Sequence, residues 1–158
     1  MTTAWVPLAT TTLGASASSV TFSSIPSGYR DLILVVAGTG SSSGSIRIQM
    51  NNDTGSNYTY VDAFGNGSSA ASSSGTLTSA IVADLYATES NGIAHIMDYS
   101  ATYNQKTILA RGNAASGIAR MVANRWANTS AVTEIDVFPS SGNFNSGSTI
   151  SLYGSNRL

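Results

Sequence analysis

Apolar residues along this chain fall into short blocks that alternate with polar positions and are separated by Gly, Ser and Asn. Val20-Thr21-Phe22 runs into the turn sequence Ile25-Pro26-Ser27-Gly28-Tyr29. Leu32-Ile33-Leu34-Val35-Val36 is unbroken, the pattern of a strand buried on both faces. Ile46-Arg47-Ile48-Gln49-Met50 alternates, which sends Ile46, Ile48 and Met50 inward and Arg47 and Gln49 toward water. Further strands are predicted over residues 57–64, 93–99, 107–111, 120–126, 131–138 and 148–153. Residues 65–75, rich in Gly and Ser, have no apolar face to bury and predict an exposed loop. Residues 76–87 read two ways. Leu77, Ile81 and Leu85 fall at helical spacing, but the block is rich in residue types that also suit strands.

About ten strands at spacings near 8–12 residues, with no long helix, predict an all-β fold: an antiparallel, jelly-roll-like β-sandwich. Residues 19–158 are expected to form this single domain, and residues 1–18 an extended N-terminal arm. Pro7 and Pro26 lie at the margins of apolar blocks, where a missing ladder N–H is tolerated.

Composition sharpens the picture. Only 9% of the 158 residues are charged, and 27 Ser, 17 Thr, 12 Asn and 15 Gly stand where Lys and Glu usually cover a surface. Seven cations against eight acids give a net charge of -1 and no basic footprint for nucleic acid or anionic lipid. Without Cys there is no disulfide, thiolate metal site or cysteine nucleophile, and a single His argues against a multi-His metal site. No cofactor is expected. No apolar run approaches the roughly 18 residues of a membrane span, and the first residues lack the pattern of a signal peptide. The chain is not of the disordered class, which combines low hydrophobicity with high net charge.

The candidate chemical motifs are weak. Gly40-Ser41-Ser42-Ser43-Gly44 fits the nucleophile-elbow pattern, but a strand rather than a helix follows it, so a hairpin turn is expected. Gly65-Asn66-Gly67 lacks the helix that a dinucleotide site requires. Alternation places His95 beside Ile93 and Met97, with Asp98 on the opposite face. A partly buried, hydrogen-bonded histidine is therefore expected rather than a general base. The oxygen-rich stretch 51–57 holds one carboxylate, Asp53, and reads as a turn closed by side-chain-to-backbone bonds rather than a calcium loop. The four Asn-x-Ser/Thr sequons are no more than the Ser and Thr content produces by chance. Tyr58, Tyr60 and Trp126 are either a sugar-stacking platform or core. A hydrolase would need paired acids, such as Asp62 with Asp84, about 5–10 Å apart. No catalytic residue is assigned, and the chain is not expected to be an enzyme.

Four segments together resemble a family of small tailed-bacteriophage virion proteins. They are Ser19 to Tyr29 with Asp31-Leu32-Ile33-Leu34-Val35; Asn51 to Tyr58, where the family more often has Asn-Gly-Asp-Thr; Ile96-Met97-Asp98-Tyr99 with Lys106-Thr107; and Trp126 through Ile135 and Val137 to Gly147-Ser148-Thr149-Ile150-Ser151-Leu152-Tyr153-Gly154. The resemblance spans about Trp5 to Gly154. It implies a jelly-roll-like sandwich on a virion, made in the host bacterial cytoplasm, and it carries no catalytic residues. The expected function is capsid decoration: a cement protein bound to the major capsid protein on the outer head surface. The alternative is a tail-fibre or receptor-binding tip component that grips host glycans. A homo-oligomer is expected, and three-fold lattice sites would favour a trimer. Trp5, Val6 and Leu8 are the expected anchors of an arm reaching a neighbouring subunit. The scarcity of charge implies attachment by shape, apolar contact and neutral hydrogen bonds.

Overall fold

The computed structural model describes residues 5–155. Twelve strands and no helix occur among them: β1 (Trp5–Thr12), β2 (Val20–Phe22), β3 (Asp31–Gly38), β4 (Gly44–Met50), β5 (Tyr58–Gly65), β6 (Ala70–Leu77), β7 (Ala80–Leu85), β8 (Ser90–Ile96), β9 (Lys106–Ala114), β10 (Ile118–Trp126), β11 (Ile135–Pro139) and β12 (Thr149–Ser155). They build an eight-stranded sheet in the order β1-β12-β3-β8-β9-β10-β5-β6 and a four-stranded sheet in the order β2-β11-β4-β7. All pairings are antiparallel. The fold is an antiparallel β-sandwich, as the alternating blocks predicted.

The core lies between the sheets. Leu32, Leu34 and Val36 of β3 share one buried cluster with Ile46, Ile48 and Met50 of β4. β7 is buried along its whole length and packs across β8, β9 and β10. That approach needs small residues. Gly92 and Gly112 sit beside each other on β8 and β9, and a Cβ built on Gly112 would lie 2.4 Å from the Ala83 methyl. The free edge of β7 is closed by a side chain. Asn124 of β10 accepts from the Ile81 N–H at 2.9 Å and donates to the Ile81 carbonyl at 3.0 Å, so its amide stands in for a neighbouring strand.

Two sequence expectations change here, and one open reading is settled. Residues 5–18 are not a free arm. Trp5–Thr12 is the outermost strand of the large sheet, paired with β12 and interrupted by a bulge between Pro7 and Ala9. Residues 13–17 are tied on by bonds from Leu13 N–H to Ser148 and from Ala17 N–H to Phe144. The cause is the unpaired edge that β12 would otherwise present: β1 satisfies its backbone groups. Residues 1–4 of the expected arm lie outside the described residues. Residues 70–77, of which 70–75 fall in the predicted loop, form β6, an edge strand that pairs with β5 over its full length although nearly all of it is exposed. Backbone pairing recruits it, helped by the bonds from Ser73 to the Asp62 carboxylate and by Leu77 against the core. Residues 76–87 contain a strand, β7, because sheet pairing and burial on both faces override the helical spacing.

Candidate functional site

The residues read as chemical candidates mostly serve the interior. Trp126 and Tyr58 are buried and stack at 6.3 Å between ring centroids, so they are core rather than a sugar platform. Tyr60 is partly buried against the same core. Tyr58 Oη accepts from the Met50 N–H at 2.9 Å, and burial pushes its phenol up to about 12. Trp126 Nε1 donates to Asp53 Oδ2 at 2.7 Å. Asp53 also accepts from Asn57 Nδ2 and the Gly55 N–H, which makes the 51–57 segment the side-chain-closed turn expected of it. Asn51 and Asn52 both adopt positive φ there. Partial desolvation pushes the Asp53 carboxyl up, but the donors from Trp126, Asn57 and Gly55 outweigh it, so the group titrates below its ordinary 3.8.

Asp62 and Asp84 do come together, around a cation. Arg120 donates from Nη1 to Asp84 Oδ1 at 2.8 Å, and its Nε lies 3.3 Å from Asp62 Oδ2, off the line of a hydrogen bond. Both acids are buried. Asp62 Oδ1 also takes the Ser73 N–H and hydroxyl, and the Phe64 ring lies 5.1 Å from the guanidinium. Burial raises the Asp84 pKa, with Arg120 opposing. Arg47, expected in water, lies close enough to feel this cluster: desolvation and then Arg120 lower its pKa. One guanidinium thus bridges two buried carboxylates, with Arg47 close to Asp84 as a second cation. Lys106 is likewise internal, its Nζ donating to the carbonyls of Ala101, Asn104 and Thr129.

The surface feature is the outer face of the eight-stranded sheet. Alternation puts Leu34, Ala94, Ala110 and Val122 in the core, so their chain neighbours point the other way. Cross-strand register then aligns Ile33, His95, Leu109, Ala123 and Val61 in one row on that face. Val35, Ile93, Arg111, Met121 and Ala63 form the next. Tyr153 extends the first row toward β1, with the Trp5 ring 6.0 Å away. Much of this is bare: Val61 is 62% exposed, Met121 67%, and Leu109 and Trp5 44% each. Two shallow depressions run along the rows. One, of about 420 Å³, is lined by Val35, Ile93, Asn91, Asn113 and Met121. The other, of about 550 Å³, is lined by Val61, His95, Leu109, Arg111, Met121 and Ala123.

At the margin of this face His95 Nε2 lies 3.1 Å from Asp31 Oδ2, off hydrogen-bond alignment, while Asp31 Oδ1 accepts the Asp98 N–H at 2.8 Å. The orienting carboxylate is therefore Asp31, from the neighbouring strand, and not Asp98. Among the expected arm residues, Leu8 packs toward the core, Val6 pairs with Gly154, and Trp5 joins the outer face. Sequence reasoning overlooked Val61, Leu109 and Met121. The available signal was an apolar residue on each side of the alternation, as in Ile108-Leu109 and Met121-Val122.

Solved structures to which the chain is similar include the following three. Exo-inulinase from Aspergillus awamori gives a TM-score of 0.46 at 11% identity over 94% of this chain and 29% of that one, so the chain spans less than a third of it. The Caenorhabditis elegans galectin LEC-6 gives 0.41 at 9% identity, covering 98% and 96%. Alginate lyase Aly36B gives 0.39 at 10% identity, covering 94% and 79%. No protein-family model and no curated protein matches the chain.

Proposed function

We propose that this chain is a bacteriophage virion structural protein that decorates the assembled head and stabilises it by docking on the major capsid protein. The observation that carries this reading is the bare apolar area across the two rows of the outer face, with Val61, Leu109 and Met121 uncovered. Contiguous exposed apolar area of this kind marks surfaces that bind protein. The resemblance of the four sequence segments to virion proteins supplies the class of partner. Binding to the assembled lattice and not to free subunits stabilises the shell by linkage. A homo-oligomer, trimeric at three-fold sites, would multiply these contacts.

The test is sedimentation of the purified chain with heads that lack it, followed by imaging of the particle at a resolution that traces the chain. Density over the head, with binding weakened by Leu109→Ser and Met121→Ser, is the expected result. Density at the tail alone, or no binding, overturns it. One observation favours a tail-tip, glycan-binding reading: Tyr103 is 83% exposed in the loop after β8. An exposed aromatic ring suits stacking on the apolar face of a sugar. Glycan-array binding lost in Tyr103→Ala would support that reading, and an array without signal would remove it.

A further inference from the structure

The outer face carries charge as well as apolar area, and the charge has one sign. Arg111 and Arg125 project from it on β9 and β10 at exposed positions. Neither forms an ion pair or side-chain hydrogen bond among the described residues. No acid lies in the cross-strand rows that build the face. Asp31, at the margin, is already engaged with His95, with Arg30 at 3.9 Å and with the Asp98 N–H.

His95 opposes Leu109, and Arg111 follows Leu109 two residues on, so His95 and Arg111 are diagonal neighbours on one face. Diagonal Cβ atoms lie within about 7–8 Å, a span that two long side chains can close around one anion. Asp31 holds the Nε2 side of the imidazole, while Nδ1 makes no hydrogen bond among the described residues. Both side chains line the depression of about 550 Å³, whose floor is Val61, Leu109, Met121 and Ala123. A guanidinium on such a floor pairs strongly with a carboxylate brought in beside apolar groups that exclude water. A second copy laid on this face would bring cations against cations and no acid.

We propose that this depression receives a carboxylate side chain of the docked partner protein, seated between Arg111 and His95, with its aliphatic surroundings on Val61, Leu109 and Met121. This rests on the reading of the face as a docking surface. It names the partner's complementary feature: an acidic side chain in an apolar patch.

Two measurements test it. Methyl-labelled protein is titrated with octanoate and with octylammonium and followed by NMR. The Val61, Leu109 and Met121 methyls should respond to octanoate at about tenfold lower concentration, and Arg111→Gln should abolish the difference. Equal response to both probes, or an unchanged preference in the variant, overturns the proposal. The second measurement is sedimentation with heads lacking the chain, where Arg111→Gln should bind about tenfold more weakly and Arg111→Glu more weakly still. Wild-type binding unaffected by either substitution also overturns it. Failure of the wild type to bind heads counts against the virion reading alone, and the octanoate titration then decides the site by itself. A concentration-dependent dimer that Arg111→Glu dissolves would assign the face to a second copy and overturn the proposal. Arg111 is exposed and unpaired, so an unchanged Tm in Arg111→Gln separates binding from folding.

Discussion

The indole N–H of Trp126 donates to the carboxylate of Asp53, 73 residues away, at 2.7 Å. This bond fastens the β4–β5 turn to the end of β10 and places the only carboxylate of that turn against the core. Replacing Asp53 by Asn puts an amide where several donors converge and should destabilise the fold by about 1–3 kcal/mol. The pH dependence has a defined sign. The folded pKa lies below 3.8, so the ionised Asp53 contributes stability at pH values above that range. The contribution is lost as pH falls through the folded value. Urea midpoints from pH 7 to pH 2 should therefore converge for wild type and Asp53→Asn at the acid end. A constant gap would refute this.

Arg120 holds two buried acids. Arg120→Met leaves Asp62 and Asp84 without their cation and should destabilise by about 3–5 kcal/mol at neutral pH. Burial already raises the Asp84 pKa, and loss of Arg120 raises it further. The folded state of the variant then binds more protons than the unfolded state above the ordinary carboxylate range, so the defect should shrink as pH falls. Denaturation at pH 7 and pH 5 measures this. A defect that grows toward pH 5 would contradict the triad.

Asn124 caps the free edge of β7. Asn124→Leu removes both bonds to Ile81 and leaves a buried N–H and C=O unsatisfied, at about 1–3 kcal/mol for each group. Asn124→Ala should be similarly harmful, which separates lost bonds from steric misfit. Chemical denaturation supplies the numbers, and a stability within 0.5 kcal/mol of wild type, about the spread of neutral surface changes, would refute the capping role.

Gly112 permits a close approach between β9 and β7. A Cβ there would meet the Ala83 methyl at 2.4 Å and the Asn91 carbonyl oxygen at 2.5 Å. Gly112→Ala should cost about 1–3 kcal/mol by overpacking. Since the obstacle includes backbone, Ala83→Gly should restore only part of the loss. Full rescue by Ala83→Gly would show that the methyl contact is the whole obstacle.

Removal of residues 1–12 should lower the melting temperature, because it strips β1 from β12 and uncovers Leu152 and the β12 edge. A free arm would leave the melt unchanged. Trp5→Ala, by contrast, should leave the melt nearly intact, since the ring stands on the outer face beside Tyr153.

Most of the strands could be read from the chain itself. Alternation at period 2 is a local property, and Ile46-Arg47-Ile48-Gln49-Met50 needs no distant partner to declare which side is buried. The all-β class, the buried β3 and the side-chain-closed turn around Asp53 follow from such local physics. What the tertiary structure decided depends on partners remote in sequence. β1 and β6 exist because β12 and β5 offer open backbone edges, and ladder bonds are blind to side-chain type. Arg120 meets Asp62 and Asp84 only because β10 lies beside β5 and beneath β7. The outer row of Ile33, His95, Leu109, Ala123 and Val61 appears only once strand order and register are set, since each strand supplies a single residue to it. The 9% charge likewise left open where charge would gather; strand pairing placed two unpaired arginines on one apolar face, because residues two apart on a strand share a side.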